Sequence, residues 1–265
     1  MNRPTNWRQF WEDKARVAVS DFEVDRLNRP QNEEIEKLAE QELINFIAPS
    51  ESETLLDAGC GTGVNILRLH AHVKRIFGID YSSGSLERCQ RKIQNGGIKN
   101  ASIQEASVTS VPLPECSVDK VLCLSVLHYL SDEEVHQALG EFVRVLAPGG
   151  IIILHVKNLS SPYWLTLQPV KKLKALLTNG KLMEHVRSFR WYVRELASFG
   201  CSVVDYDSFN LLMIDKLPQR LVTAIREFEI RHHRSPLFRK AFLRRHGAEL
   251  LIKAKVTGVR KAAKI

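Results

Sequence analysis

The chain alternates between short apolar runs and stretches in which apolar residues recur every three or four positions. Short apolar runs are typical of strands buried on both faces, whereas the longer period is typical of amphipathic helices. Strands and helices that alternate in this way indicate a parallel, doubly wound α/β sheet. The predicted strands are 54–58, 75–80, 101–104, 118–125 and 151–156, and the predicted helices are 32–47, 64–70, 83–93 and one from Ser131 to Leu146.

Polar and glycine positions mark several ends of these elements. Ser131 and Glu134 have the spacing of a capping box, in which a hydroxyl and a carboxylate bind free amides at a helix start. We expect Pro148-Gly149-Gly150 to stop the helix that this box begins. The remaining predicted elements are a helix at 189–199 and strands at 201–206 and 248–256.

The most informative segment is the glycine-rich turn after the first predicted strand. In Asp57-Ala58-Gly59-Cys60-Gly61-Thr62-Gly63, glycines at alternate positions let the backbone turn tightly and approach a ligand, with helix amides pointing at it. Asp80 ends the second strand, where a carboxylate can accept hydrogen bonds from both hydroxyls of a ribose. The pattern therefore predicts a nucleotide-containing cofactor. NAD stays open at this point, although Val64 stands where the dinucleotide motif requires a glycine.

Five short motifs follow one another between residues 50 and 156. They are Asp-Ala-Gly-Cys-Gly-Thr-Gly (57–63), Gly-Ile-Asp-Tyr-Ser (78–82), Pro-Leu-Pro (112–114) before Ser-Val-Asp (117–119), Leu-His-Tyr-Leu (127–130) and Leu-Ala-Pro-Gly-Gly (146–150). In this order they resemble the class I S-adenosylmethionine-dependent methyltransferases. The resemblance implies a Rossmann-like fold with a mainly parallel sheet of seven strands, the last one antiparallel, and S-adenosyl-L-methionine as the cofactor.

The resemblance also assigns roles to single residues. The glycine turn is expected to contact the methionine part of the cofactor, the acid after the second strand its ribose, and the loop after the third strand its adenine. These roles fall on Asp57, Gly59, Cys60, Gly61, Gly63, Asp80, Tyr81, Ser107 and Val108, with Leu124 and Ser125 lining the methionine end. Many relatives carry an aspartate where this chain has Ser107, whose hydroxyl can form hydrogen bonds but has no charge.

The chemistry implied by the resemblance is methyl transfer by in-line displacement. Because a sulfonium donor is already activated by its charge, the protein mainly aligns a nucleophilic oxygen, nitrogen or carbon atom and excludes water. A hydroxyl acceptor would benefit from a general base, for which His128 is the candidate, ahead of Tyr129 and His155. A packing role for His128 is the alternative. No metal site is expected, since the adjacent His232 and His233 have no spaced carboxylate to complete a set.

Charge is distributed unevenly along the chain. Residues 1–150 hold 16 Lys and Arg against 22 Asp and Glu, whereas residues 151–265 hold 22 against 8. Much of the basic charge falls in two insertions, 157–190 and 210–247, which we expect to form helical caps over the acceptor site. Basic residues beside aromatic ones suit an anionic or amphipathic small molecule or a peripheral contact with an anionic membrane, and a solvated face is the alternative.

Composition limits the remaining classes. The chain has 265 residues, 44% of them hydrophobic, and five cysteines without a Cys-x-x-Cys pair, which predicts a cytoplasmic globular protein without a transmembrane segment. We divide it into a helical segment, 1–50, that covers the active site and a methyltransferase domain, 51–265. A small-molecule methyltransferase is the preferred function. An RNA or other nucleic-acid methyltransferase and a non-catalytic binding module that keeps the fold are the alternatives.

Overall fold

The centre of the molecule is a sheet of seven strands. The computed structural model describes residues 6–18, 20, 24, 33–165, 184–209, 219–232 and 246–258. The strands are β1 (Thr54–Ala58), β2 (Arg75–Asp80), β3 (Ala101–Glu105), β4 (Val118–Leu124), β5 (Leu146–Lys157), β6 (Cys201–Phe209) and β7 (Glu249–Val256). Their order is β3-β2-β1-β4-β5-β7-β6, and only β7 is antiparallel to its neighbours. The predicted seven-stranded sheet with an antiparallel last strand is confirmed.

Helices cover both faces of this sheet. In the described ranges they are α1 (Trp7–Val17), α2 (Glu33–Ile47), α3 (Val64–Leu69), α4 (Ser83–Asn95), α5 (Asp132–Val145), α6 (Phe189–Ser198) and α7 (Gln219–His232). On one face, α5 and α6 bury Phe142 and Tyr192 completely, and on the other α2 and α3 bury Ile47 and Ile66. Burial of each large apolar side chain stabilises the fold by roughly 1.5–3 kcal/mol. The two layers therefore fix the positions of the strand ends.

The chain between α5 and β5 differs from the prediction. Ser131 and Glu134 form the expected capping box, and the helix ends within one residue of the predicted Leu146, but the next strand begins five residues before the predicted 151. Helix α5 ends at Val145, and β5 begins at once because Leu146 is buried and pairs with Val118 of β4. The register shifts after that pair, so the proline and glycines form an irregularity within β5.

The basic insertions are described in part. Residues 166–183, 210–218 and 233–245 lie outside the described residues, so their predicted cap roles are not described here. Helix α7, within the second insertion, packs against α2. None of the helices in the described ranges has both the length and the apolar character needed to cross a bilayer.

Candidate active site

The glycine turn after β1 is tied to the end of β2 by backbone hydrogen bonds. The N–H groups of Gly59 and Cys60 both donate to the carbonyl oxygen of Ile79, at 2.8 and 2.9 Å. Gly59, Gly61 and Gly63 have positive φ angles of 84°, 53° and 85°, a region that residues with a Cβ rarely adopt. The turn therefore holds a fixed shape beside the strand that carries the predicted ribose acid.

Two of these glycines are also required by close packing. A Cβ on Gly59 would lie 2.2 Å from Cγ2 of Val126, and a Cβ on Gly63 would lie 2.4 Å from Sγ of Cys89. Both distances are well inside van der Waals contact. The glycine pattern, interpreted from the sequence as room for a ligand, thus also makes room for side chains from the turn after β4 and from α4.

A lysine on α4 forms hydrogen bonds with the same turn. Nζ of Lys92 donates to both the carbonyl oxygen and the hydroxyl of Thr62, each at 2.9 Å, and Thr62 is fully buried. Hydrogen bonds that involve a charged group contribute about 1.5–3 kcal/mol. The sequence analysis missed Lys92, because nothing in its local pattern distinguishes it from the other basic residues of the helix.

Asp80 connects the glycine turn to the start of α4. Its Oδ2 accepts the Gly61 N–H and its Oδ1 accepts the Ser82 N–H, both at 2.9 Å. A carboxylate can accept about four hydrogen bonds in all, which suits the two hydroxyls of a ribose. Burial and the charge of Asp80 raise the pKa of Tyr81, so its phenol stays neutral and can donate a hydrogen bond. The donors and acceptors present therefore fit an adenosine.

The side chains of Asp57 and Cys60 are both buried beneath the glycine turn. Asp57 is fully buried at the end of β1. A hydrogen bond with Cys89, burial and the charge of Asp57 raise the pKa of the Cys60 thiol, which packs in the core beneath the turn. The Cys60 side chain is thus part of the core, and any cofactor contact by this residue would come from its backbone.

The loop after β3 separates the two predicted adenine contacts. Ser107 is exposed, and its hydroxyl oxygen lies 2.7 Å from that of Thr109 and accepts the Thr109 N–H at 3.2 Å. Val108 is buried in the core with Leu139 of α5. The Ser107 hydroxyl is therefore accessible, whereas the Val108 side chain supports the loop from the core.

The end of β4 carries Leu124 and Ser125, the two residues predicted to line the methionine end of the cofactor. Leu124 packs partly against the core, while Ser125 is exposed with a positive φ of 65°. Oγ of Ser125 lies 2.7 Å from Nδ1 of His155 at the end of β5. Nε2 of His155 lies 3.6 Å from Oε2 of Glu249, the first residue of β7. These three side chains form a row across the ends of three strands, and the sequence analysis did not predict the row.

His128 lies in the short 3-10 turn Leu127–Tyr129 and is only 3% exposed. Within the described part of the chain, its Nδ1 has no hydrogen-bond partner. Burial lowers the pKa of His128 well below its usual range, and the positive charge of Lys157 lowers it further. His128 is therefore neutral at physiological pH.

A buried arginine holds the turn that contains His128. Arg187 donates to the carbonyl oxygens of Leu127 and Leu130, at 3.0 and 2.6 Å, and to Oδ1 of Asp132 at 2.7 Å. It is 5% exposed. Arg187 was also missed, because its partners lie far away in the sequence.

A carboxylate of helix α1 accepts three hydrogen bonds from the start of α4. Glu12 accepts hydrogen bonds from the hydroxyls of Ser82 and Ser83, at 2.9 and 3.1 Å, and from the Gly84 N–H at 3.2 Å. These donors directly follow Asp80 and Tyr81 in the chain. The N-terminal helix therefore lies next to the predicted ribose site.

Two further contacts extend α1 across the ends of β3 and β4. Arg8 donates to Oε1 of Glu105, the last residue of β3, at 2.7 Å. The rings of Trp7 and Trp11 lie 4.5 and 5.6 Å from that of Tyr129. One helix thus contacts both the predicted cofactor side and the predicted acceptor side.

Comparison with known proteins identifies the central part of the chain. Residues 55–150 match the family described as "Methyltransferase domain". A probable S-adenosylmethionine-dependent methyltransferase of Mycolicibacterium smegmatis is 30% identical over 104 residues, which are 39% of this chain and 38% of that protein. The uncharacterized methyltransferase YcgJ of Bacillus subtilis is 31% identical over 100 residues, 38% of this chain and 39% of that one. The matched segment thus spans less than half the length of these relatives.

Solved structures agree with the fold over most of the chain. A geranyl diphosphate C-methyltransferase of Streptomyces coelicolor, in complex with S-adenosyl-L-homocysteine, covers 96% of this chain and 100% of its own, with a TM-score of 0.61 and 18% identity. YcgJ covers 82% of this chain and 95% of its own, with a TM-score of 0.54 and 20% identity. At such identities the likeness concerns the fold. Together with the family match, it shows that residues 55–150 form a methyltransferase domain in a chain that shares its fold with these proteins.

Proposed function

We propose that this protein transfers a methyl group from S-adenosylmethionine to a nucleophilic atom of a small, anionic or amphipathic molecule. The observation that carries the proposal is the Asp80 carboxylate, which binds the glycine turn through Gly61 and the start of α4 through Ser82. The glycine turn, which would bind the methionine part of the cofactor, is thereby held beside a carboxylate that can accept hydrogen bonds from the ribose hydroxyls. When bound, the cofactor supplies a methyl carbon on a positively charged sulfur that leaves as a neutral thioether.

The residues of the chain then have two tasks, orientation and exclusion of water. Fixing two reacting groups in line can supply roughly 7–11 kcal/mol of the barrier reduction. The glycine turn, Asp80 and Tyr81 would hold the donor, with Ser107 beside the adenine and Leu124 at the methionine end. We infer that α1 covers this site, since its contacts reach the ends of β2, β3 and β4.

His128 would act on the acceptor side. Its Nδ1 has no partner in the described ranges, and its low pKa keeps the ring neutral. A neutral imidazole can accept or donate one hydrogen bond through that nitrogen. Because the protonated form of His128 is unfavourable at this buried position, we propose that His128 orients the methyl acceptor by a hydrogen bond and does not take up the acceptor's proton.

The proposal is tested by supplying isotopically labelled S-adenosylmethionine to the purified protein together with the small-molecule extract of its host. Mass analysis should find label in a small molecule. Label in a parallel RNA sample alone would favour the nucleic-acid alternative. No label in either sample, with no S-adenosylhomocysteine binding by calorimetry, would leave only the binding-module alternative.

The role of Asp80 has its own test. Replacing Asp80 by Ala removes a charge-assisted acceptor and should weaken S-adenosylhomocysteine binding by about 1.5–3 kcal/mol. Asp205→Asn, an exposed aspartate on β6, is the control and should leave the dissociation constant unchanged. Equal affinities of Asp80→Ala and the wild type would refute the ribose contact.

A further inference from the structure

The row of Ser125, His155 and Glu249 lies beside the turn that bears His128. His155 and Glu249 are mostly buried, with side chains 25% and 16% exposed, whereas Ser125 is exposed. The row therefore runs from an accessible hydroxyl inward to a shielded carboxylate.

The backbone at Ser125 favours this position of its hydroxyl. Its φ of 65° is in the left-handed region, which is rarely adopted by residues other than glycine, asparagine and aspartate. The Ser125 N–H also donates to the carbonyl oxygen of His155 at 3.0 Å. Backbone strain of this kind concentrates at functional sites, where the surrounding structure maintains it. Two contacts thus hold Ser125 against His155 at the open end of the row.

One tautomer of His155 fits both of its contacts. If the Ser125 hydroxyl donates to Nδ1 of His155, Nε2 bears the hydrogen and faces Glu249. Oε2 of Glu249 lies within ion-pair distance of Nε2, so its negative charge would stabilise a positive charge on His155.

We propose that Ser125, His155 and Glu249 form a proton relay that activates a hydroxyl group as the methyl acceptor. The inference rests on the proposed methyl transfer. The acceptor proton passes to Oγ of Ser125 while the Ser125 proton passes to Nδ1 of His155, whose positive charge is balanced by Glu249. The acceptor oxygen forms the new bond to the methyl carbon, and the bond between that carbon and sulfur breaks with its electron pair on sulfur.

A hydroxyl is the acceptor class that needs such a relay. Its oxygen is a weak nucleophile until the proton leaves, whereas a neutral amine attacks through its lone pair without prior deprotonation. His128 is less suited to take the proton, since its burial opposes a positive charge there and the charge of Lys157 adds to this effect. The two histidines therefore have separate tasks, with His128 orienting the acceptor and His155 receiving its proton.

The experiment uses His155→Ala, Glu249→Gln and Ser125→Ala in the full chain. The matched control is another histidine–glutamate pair, His136 and Glu195, whose Nδ1 and Oε2 lie 3.0 Å apart on α5 and α6. Turnover is measured on the acceptor that the extract experiment identifies, by following formation of its labelled product. S-adenosylhomocysteine affinity and the ring ¹⁵N spectrum of histidine-labelled protein are measured alongside.

We expect His155→Ala to lower kcat by about 10²–10⁴-fold, with less effect on S-adenosylhomocysteine affinity, and added imidazole to restore part of the rate. Glu249→Gln should lower kcat as well, and the double variant His155→Ala/Glu249→Gln should be little worse than His155→Ala alone. His136→Ala and Glu195→Gln should behave as the wild type. The spectrum should show an unprotonated Nδ1 on His155, with a shift in Ser125→Ala.

Three results would each overturn the relay while leaving the proposed methyl transfer in place. The first is label transfer by the wild type with an unchanged kcat in His155→Ala and Glu249→Gln. The second is a protonated Nδ1 on neutral His155 in the wild type. The third is a labelled product that is methylated on nitrogen or carbon. Absence of label transfer by the wild type would instead refute the proposed function, and the relay with it.

Discussion

The donor half of the site, around β1, β2 and α4, is built differently from the acceptor half, around the ends of β4, β5 and β7. The donor half relies on backbone groups, such as the Gly59 and Gly61 amides, whose shape is encoded by a contiguous motif. The acceptor half relies on side chains from distant segments, such as Arg187 and His155. The two halves should therefore respond to mutation in separable ways.

The largest expected effect is at the glycine turn. Gly59→Ala combines backbone strain with a steric overlap between the new Cβ and Val126, and it should cost about 2–5 kcal/mol of folding stability. The variant should also lose S-adenosylhomocysteine binding. Gly97→Ala is the matched control, since Gly97 also has a positive φ of 61° but no atom within 4 Å of its added Cβ. Thermal melts, which report stability, and calorimetry, which reports S-adenosylhomocysteine binding, should distinguish Gly59→Ala from Gly97→Ala. Adding Val126→Ala should recover part of the stability lost in Gly59→Ala.

The next largest effect should be confined to the acceptor half. Arg187→Met leaves the carbonyl oxygens of Leu127 and Leu130 without their donor and should cost about 2–3 kcal/mol. S-adenosylhomocysteine affinity should stay unchanged, while methyl transfer falls as the His128 turn loosens. Arg194→Met, an exposed arginine on α6, is the control. A parallel loss of cofactor affinity in Arg187→Met would show that the halves are coupled.

A smaller effect on cofactor binding is expected from replacing Lys92, which is hydrogen-bonded to the glycine turn. Lys92→Met removes two hydrogen bonds to Thr62 and should raise the S-adenosylhomocysteine dissociation constant by about tenfold, equivalent to about 1.4 kcal/mol. Arg91→Met changes the exposed neighbour on α4 and should have no such effect. Equal dissociation constants for both variants would contradict a role for Lys92 in shaping the turn.

The smallest effect concerns the attachment of α1. Burial alone would raise the pKa of Glu12, but hydrogen bonds from Ser82, Gly84 and Ser83 outweigh it and lower the pKa below its usual 4.5. A carboxyl with a depressed pKa in the folded state stabilises that state at higher pH and loses this contribution as pH falls. The attachment of α1 should therefore weaken below about pH 4.5.

Tryptophan emission reports this attachment, since α1 carries Trp7 and Trp11 beside Tyr129. A titration from about pH 7 to about pH 3 should reveal a transition in the wild type that Glu12→Gln lacks. The same transition in both proteins would assign it to other carboxyl groups.

The difference between the two halves also explains which features could be predicted from the sequence. The capping box of Ser131 and Glu134 involves residues three positions apart, and a local rule describes it completely. The glycine turn and the strand that precedes it are local in the same sense. These features and the alternation of strands with helices were therefore accessible from the chain alone.

Contacts between distant residues were not accessible in this way. Arg187 and Leu127 are 60 positions apart, Ser125 and His155 are 30 apart, and Glu12 and Ser82 are 70 apart. Each pair becomes visible only once the strand order brings its members together. The early start of β5 was missed for a related reason, because Leu146 pairs with Val118 of β4, a contact that the local proline–glycine pattern does not reveal.

The strand order has one more consequence, for how such a protein changes over evolutionary time. The strand sequence reverses between β1 and β4, so residues 54–105 build one side of the sheet and residues 118–256 the other. An insertion, loss or exchange of segments after β5 leaves the first side intact. Segments after β5 could thus change to suit a new acceptor, while the earlier part of the gene keeps the proposed methyl-donor site.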